Sequence, residues 1–172
     1  VAHVGDSRLY RRRRELVEQL TEDHSLYNAM VQSGQAPAED DERIDHLKNA
    51  VTRAVGVHAQ VEVDVFDVGI EEGDRFLLCS DGLHGYFDEE DVERLLSVAS
   101  PEVATEAMIQ HANQRGGHDN ITAMVIQVPG GEAFEEVVGL AALDELLRLT
   151  PIGNGLTSRE IHLLARRLDK RA

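Results

Sequence analysis

The chain has 172 residues, 42 % of them apolar but only 4 % aromatic, a size and composition that suit one mainly aliphatic core. Its 17 Lys and Arg against 32 Asp and Glu leave a net charge of −15, which excludes nucleic-acid binding by bulk electrostatics. The single cysteine excludes an intrachain disulfide framework, and no apolar stretch approaches the ~20 residues of a membrane span, so a cytoplasmic protein with no membrane partner is expected.

Residues 1–4 form a short apolar strand that ends at the turn Gly5-Asp6-Ser7. Because residue 1 already lies in a strand pattern and is not Met, the chain is expected to be cut from a longer one. Residues 8–14 and 15–20 read as two further extended pieces. The arginines of the first alternate between faces and suit a solvated strand edge or hairpin. A polar, mainly helical region opens at Thr21. Within it, residues 36–45 are acidic, carry Pro37 and read as a short helix or surface loop.

Val61, Val63 and Val65 alternate with Glu62 and Asp64, the pattern of a half-buried strand. Residues 76–79 are apolar at every position, which predicts a strand buried on both faces. Asp88 is placed to cap a helix whose face is Val92, Leu95, Leu96 and Ala99. Ser100-Pro101 supplies the cap and first residue of the next helix, which ends near Gly116-Gly117. Residues 121–128 read as a last strand. Pro129-Gly130-Gly131 reads as a linker, residues 134–149 as an amphipathic helix, and Thr157 to Glu160 as a capping box ahead of another. The order argues for an α+β fold with helices packed on sheet.

Asp6, Asp81 and Asp119 share a setting: each lies at an end of a predicted strand, beside glycine or one residue from it. Such positions suit turns. They also allow the three carboxylates to converge on one rim of a sheet, where mutual repulsion calls for a cation. An all-oxygen set selects hard cations such as Mg²⁺, Mn²⁺ or Ca²⁺. His24 and His118 adjoin these motifs and read as turn or hydrogen-bonding residues. Cys79, in mid-strand, reads as an inert core residue.

Five ordered stretches carry a stronger signal. They are Val4-Gly5-Asp6-Ser7-Arg8-Leu9-Tyr10, Leu20-Thr21-Glu22-Asp23-His24-Ser25-Leu26, Thr52-Arg53-Ala54-Val55-Gly56, the run from Gly73-Asp74 through Cys79-Ser80-Asp81-Gly82-Leu83, and Gly117-His118-Asp119-Asn120-Ile121-Thr122. In this order, from residue 1 to about residue 128, the chain resembles the later part of the metal-dependent (type 2C, PPM) Ser/Thr protein phosphatases of bacterial type. The resemblance implies part of an αββα β-sandwich with flanking helices, its N-terminal strands missing. It implies a binuclear Mn²⁺ or Mg²⁺ centre with Asp81 and Asp119 as ligands, and a third metal held by Asp6 with Asp81. It also implies a phosphoprotein substrate whose phosphoserine or phosphothreonine is hydrolysed by a metal-activated water, without a covalent phospho-enzyme. Residues 24–44 match the position of the family's flap beside the substrate groove.

The family's N-terminal Asp-Gly motif and phosphate-binding arginine have no counterpart in these 172 residues. The parent enzyme is therefore expected to be the phosphatase, and this stretch alone to be inactive. A phosphatase-like module that binds without turnover is the alternative. Residues 1–128 form the phosphatase portion on this reading, and 129–172 a linker and helices. The tail, from Leu149-Thr150-Pro151 onward, resembles the entry segment of a cyclic-nucleotide-binding domain. It resembles less closely the start of a LuxR-type helix-turn-helix, and a plain docking helix also suits it. A cyclic nucleotide or other effector is thus expected on a downstream domain.

Overall fold

Ala2–His3 (β1) and Asp64–Val65 (β4) pair as a short antiparallel ribbon. Between them the chain forms Arg8–Arg13 (β2), Leu16–Gln19 (β3), Leu26–Gln32 (α1) and Ile44–Asn49 (α2). Arg75–Cys79 (β5), Asp81–His84 (α3), Glu89–Leu96 (α4), Pro101–Gln114 (α5) and Ala123–Gln127 (β6) follow. The main sheet has the order β3-β2-β5-β6, antiparallel throughout. These elements come from a computed structural model, which describes residues 1–131 except 39 and 99, together with 160 and 161. The chain divides into units Val1–Gln127 and Val128–Ala172. The helices expected over 134–149 and after Thr157, and the resemblances carried by the tail, lie outside the described residues but for Glu160 and Ile161. Ala99 also lies outside them. No helix among the described residues is long and apolar enough to cross a membrane.

The two long helices form where local chemistry predicts them. The Asp88 side chain accepts from the Asp91 amide, and Glu89, Glu90 and Asp91 place negative charge in the first turn of α4. Ser100 caps α5 by accepting from Val103, with Pro101 at the first position. Val92, Leu95 and Leu96 of α4 and Met108 and Ala112 of α5 are buried with Tyr10, Leu77, Cys79 and Leu83 in one core. Burying a residue such as Leu77, Leu83 or Leu96, each at 1 % exposure or less, contributes about 1.5–3 kcal/mol.

Three local expectations are corrected. Strand β5 is not buried on both faces: Leu77 and Cys79 join the core, but Leu78 is 40 % exposed, beside Met124 at 56 % on β6. That face buries Leu9 and Phe76 but leaves Leu78, Met124 and Ile126 open. The arginine strand β2 makes a hairpin with β3, as expected, but is interior to the sheet instead of an edge because it also pairs with β5, and three of its guanidinium groups meet carboxylates. Arg8 pairs with Asp23, Arg11 with Glu18, and Arg13 with Glu71 and Asp74. The valine alternation at 61–65 is inverted: Val63 and Val65 are exposed and Asp64 is half-buried, since its carboxylate is drawn toward His24 and Arg53.

Candidate metal centre

The antiparallel register gathers three strand ends at one place. Arg8, which starts β2, lies opposite Cys79, which ends β5; Cys79 lies opposite Ala123, which starts β6. Asp6 precedes the first of these, Asp81 follows the second and Asp119 precedes the third. All three sequence-predicted residues therefore belong to the same end of the sheet.

The loops at that end are stitched through main-chain groups. Ser80 N donates to Thr122 O at 3.1 Å, Ser80 Oγ donates to Asn120 O at 3.1 Å, and Thr122 N donates to Ser80 Oγ at 3.0 Å. Gly82 makes the close approach possible: a Cβ there would stand 2.5 Å from Asn120 O and 3.4 Å from the Asp119 carbonyl carbon. Asp81 opens α3, an element the sequence did not signal, and its Oδ1 accepts from Gly82 N at 2.8 Å. Asp119 Oδ1 accepts from Asn120 N at 2.6 Å. On the other side the Asp6 carbonyl oxygen lies 2.9 Å from His84 Nε2. Burial, then Arg8 nearby, lowers the His84 pKa, which favours the neutral ring donating Nε2–H to that oxygen.

Asp6 is half-buried, and Asp81 and Asp119 are exposed. None of the three has an ion-pair partner among the described residues, whereas Asp23, Asp41, Asp64, Asp74 and Asp91 each have an arginine. An oxygen-only donor set with no protein cation fits a hard divalent ion. The three carboxylates do not close into one cluster of ligand atoms within 4.8 Å; among the described residues only His3, His24 and Asp64 do that.

That second cluster was hidden from the sequence by the apparent alternation at 61–65. His24 Nδ1 accepts from Gly5 N at 3.1 Å, so the proton of the neutral ring resides on Nε2, 2.9 Å from Asp64 Oδ2. Arg53 Nη1 donates to Asp64 Oδ1 at 2.8 Å and lies 3.2 Å from His24 Nε2. These contacts, foremost the bond to His24 and then that to Arg53, lower the Asp64 pKa. A metal on Nε2 would require a proton on Nδ1, facing the Gly5 N–H, and would meet the Arg53 guanidinium. The cluster is thus filled by a proton and an arginine. The His3 ring lies 4.8 Å from the His24 ring, tilted by 43°, with both of its own ring nitrogens buried and unbonded.

A family model described as Stage II sporulation protein E (SpoIIE) matches residues 25–129. The serine/threonine phosphatase stp of Listeria innocua is 40 % identical over 129 residues, covering 74 % of this chain and 50 % of that one. The structure of the Mycobacterium tuberculosis serine/threonine phosphatase PstP/Ppp matches with TM-score 0.69 and 29 % identity, covering 75 % of this chain and 54 % of that one. The catalytic domain of PstP in complex with two manganese ions matches with TM-score 0.58 and 27 % identity, covering 75 % and 53 %. The chain spans about half the length of the curated relatives it matches. With the family model matched over more than half of its residues, the chain belongs to the SpoIIE family and shares its domain with bacterial PPM-type Ser/Thr phosphatases.

Proposed function

We propose that the chain supplies the metal-holding rim of a protein Ser/Thr phosphatase, acting on phosphoserine or phosphothreonine in phosphoproteins. The observation that carries this reading is the gathering of Asp6, Asp81 and Asp119, none with a protein cation, at one end of the β2-β5-β6 sheet. Asp81 and Asp119 would hold the catalytic ions, and Asp6 with Asp81 a third. Mn²⁺ or Mg²⁺ bound there supplies positive charge that lowers the pKa of water and neutralises phosphoryl oxygens. The two manganese ions named with the PstP relative support that assignment.

The chain's own part is positional. Gly82 N and Asn120 N each hold one carboxylate oxygen of Asp81 and Asp119, so neither side chain rotates freely. The Ser80–Thr122 stitches fix the distance between their loops. Residues 129–172 are assigned to a linker and a downstream regulatory segment of cyclic-nucleotide-binding kind, and the protein to the cytoplasm.

The test is hydrolysis of a phosphothreonine peptide by the full-length protein. Release of phosphate in Mn²⁺ that stops on adding EDTA is the expected result. Undiminished turnover in EDTA refutes the reading.

A further inference from the structure

We propose that His24, held as its Nε2–H tautomer by Asp64 and Arg53, is the positioning residue of the Asp6 loop and thereby sets the protein's affinity for divalent metal. The proposal rests on the reading of Asp6 as a metal ligand.

His24 grips Gly5 twice. Its backbone N–H donates to Gly5 O at 2.8 Å, and its Nδ1 accepts from Gly5 N at 3.1 Å. Gly5 has φ +104°, a conformation that L side chains rarely adopt. The loop therefore turns sharply immediately before Asp6, at the residue His24 clasps. The Asp6 carbonyl is held separately at His84 Nε2. The Asp6 main chain is thus fixed from both sides, by a different imidazole on each.

The ring can hold Gly5 only while Nδ1 lacks a proton, because the Gly5 N–H is itself a donor. Asp64 enforces this by accepting from Nε2 at 2.9 Å, and Arg53 in turn holds Asp64. The His24 backbone is tied down as well: its carbonyl accepts from Thr52 N at 2.7 Å and Thr52 Oγ1 at 2.9 Å. His24 is 7 % exposed, with the tilted His3 ring 4.8 Å away. A rigid base, a fixed tautomer and a bond to the residue before the ligand are what an outer positioning group requires, and loss of such a partner weakens metal binding by roughly 10- to 100-fold.

Mn²⁺ affinity, read from the free-ion electron paramagnetic resonance signal, tests the proposal on the full chain with four variants. Asp6→Asn is expected to weaken binding. His24→Gln, whose amide reaches Asp64 but not Gly5, is expected to weaken it roughly tenfold. His24→Asn places an acceptor where Nδ1 stood and is expected to restore affinity to within about threefold of the starting protein. Asp64→Ala frees the tautomer without touching the buried ring and is expected to weaken binding by a smaller factor than His24→Gln. Hydrogen exchange at the Gly5 amide should follow the same order, fast in His24→Gln and slow in His24→Asn. If Asp6→Asn binds less Mn²⁺ but His24→Gln and Asp64→Ala bind normally, the positioning role is overturned and the Asp6 reading stands. If Asp6→Asn binds normally, the Asp6 reading itself fails. Loss of fold in His24→Gln, seen by circular dichroism, leaves Asp64→Ala to decide: unchanged affinity and unchanged Gly5 exchange there overturn the proposal.

Discussion

Two sets of aspartates in this chain live under opposite electrostatic rules. Asp74 and Asp91 are 1 % and 6 % exposed, and each carboxylate meets an arginine: Arg13 at 2.7 Å, and Arg94 and Arg115 at 2.6 Å. Asp6, Asp81 and Asp119 gather at one sheet end and have no such partner among the described residues. A buried carboxylate must be paired to be tolerated. Unpaired carboxylates brought to one rim repel one another and are relieved by water or by a cation from solution. In a chain of net charge −15, the arginines have gone to the carboxylates that hold the fold. Asp6, Asp81 and Asp119 are left to the solvent-facing end of the sheet, where the proposed metal reading puts a cation.

The comparison breaks if the two sets can be exchanged. Asp81→Asn or Asp119→Asn in the full-length protein should lower Mn²⁺-dependent turnover by roughly a hundred- to a thousandfold, because several kcal/mol of charge stabilisation are at stake. The melting temperature should hold or rise, since a repelling charge is gone. Steady-state kinetics beside a thermal melt would check both, and a variant that melts early but turns over normally would contradict the division. The reverse result is expected at Asp74→Ala. That change takes one of its two carboxylates from Arg13, which keeps Glu71, and removes the acceptor of the Glu71 N–H. Losing hydrogen bonds to a charged group costs about 1.5–3 kcal/mol, and the Glu71 and Gly69 contacts that Arg13 keeps hold the loss near the lower figure. Urea unfolding should show the loss, with Mn²⁺ affinity unchanged.

Gly82→Ala probes the seam between fold and site. Its Cβ would press on Asn120 O, so the two loops must part. Overpacking of this kind costs about 1–3 kcal/mol. Here it should also weaken Mn²⁺ binding, because Asp81 and Asp119 sit on the loops that move. A stable variant with full metal affinity would mean that the contact between these loops does not tune the site.

Much of this was legible in the sequence, and the failures have physical causes. The α4 and α5 caps were readable because capping is local: Asp88 and Ser100 act within four residues. The shared rim of Asp6, Asp81 and Asp119 was readable from strand ends and from the ordered motifs. Asp64 was misread because alternation reports which side chains are apolar, not which side is covered. A partner 40 residues distant, His24, decided its environment. The apolar run at 76–79 predicts burial on both faces because composition cannot show that Leu78 is left open while Phe76 on the same face is buried. Helix α3 was missed because four residues after a strand carry no periodicity.

The smallest expected effect is a pH dependence confined to the paired set. Burial by itself would raise the Asp91 pKa, but hydrogen bonds from Arg94, Arg115 and His111 outweigh it and bring it to about 2. An unfolded aspartate titrates near ~3.9. The folded value is the lower one, so the stabilisation is fully present above about pH 4 and is lost as pH falls toward 2. The arginine partners are 61 % and 45 % exposed, which screens the pair and holds its worth to about 1 kcal/mol. Asp91→Asn keeps the shape and removes the charge. Its urea midpoint should lie below that of the starting protein at pH 6, and the two curves should converge as pH approaches 2. Other carboxylates titrate in the same range, but they do so in both proteins and cancel in the difference. Curves that stay parallel from pH 6 to pH 2 would show that the arginines around Asp91 pack against it without stabilising its charge.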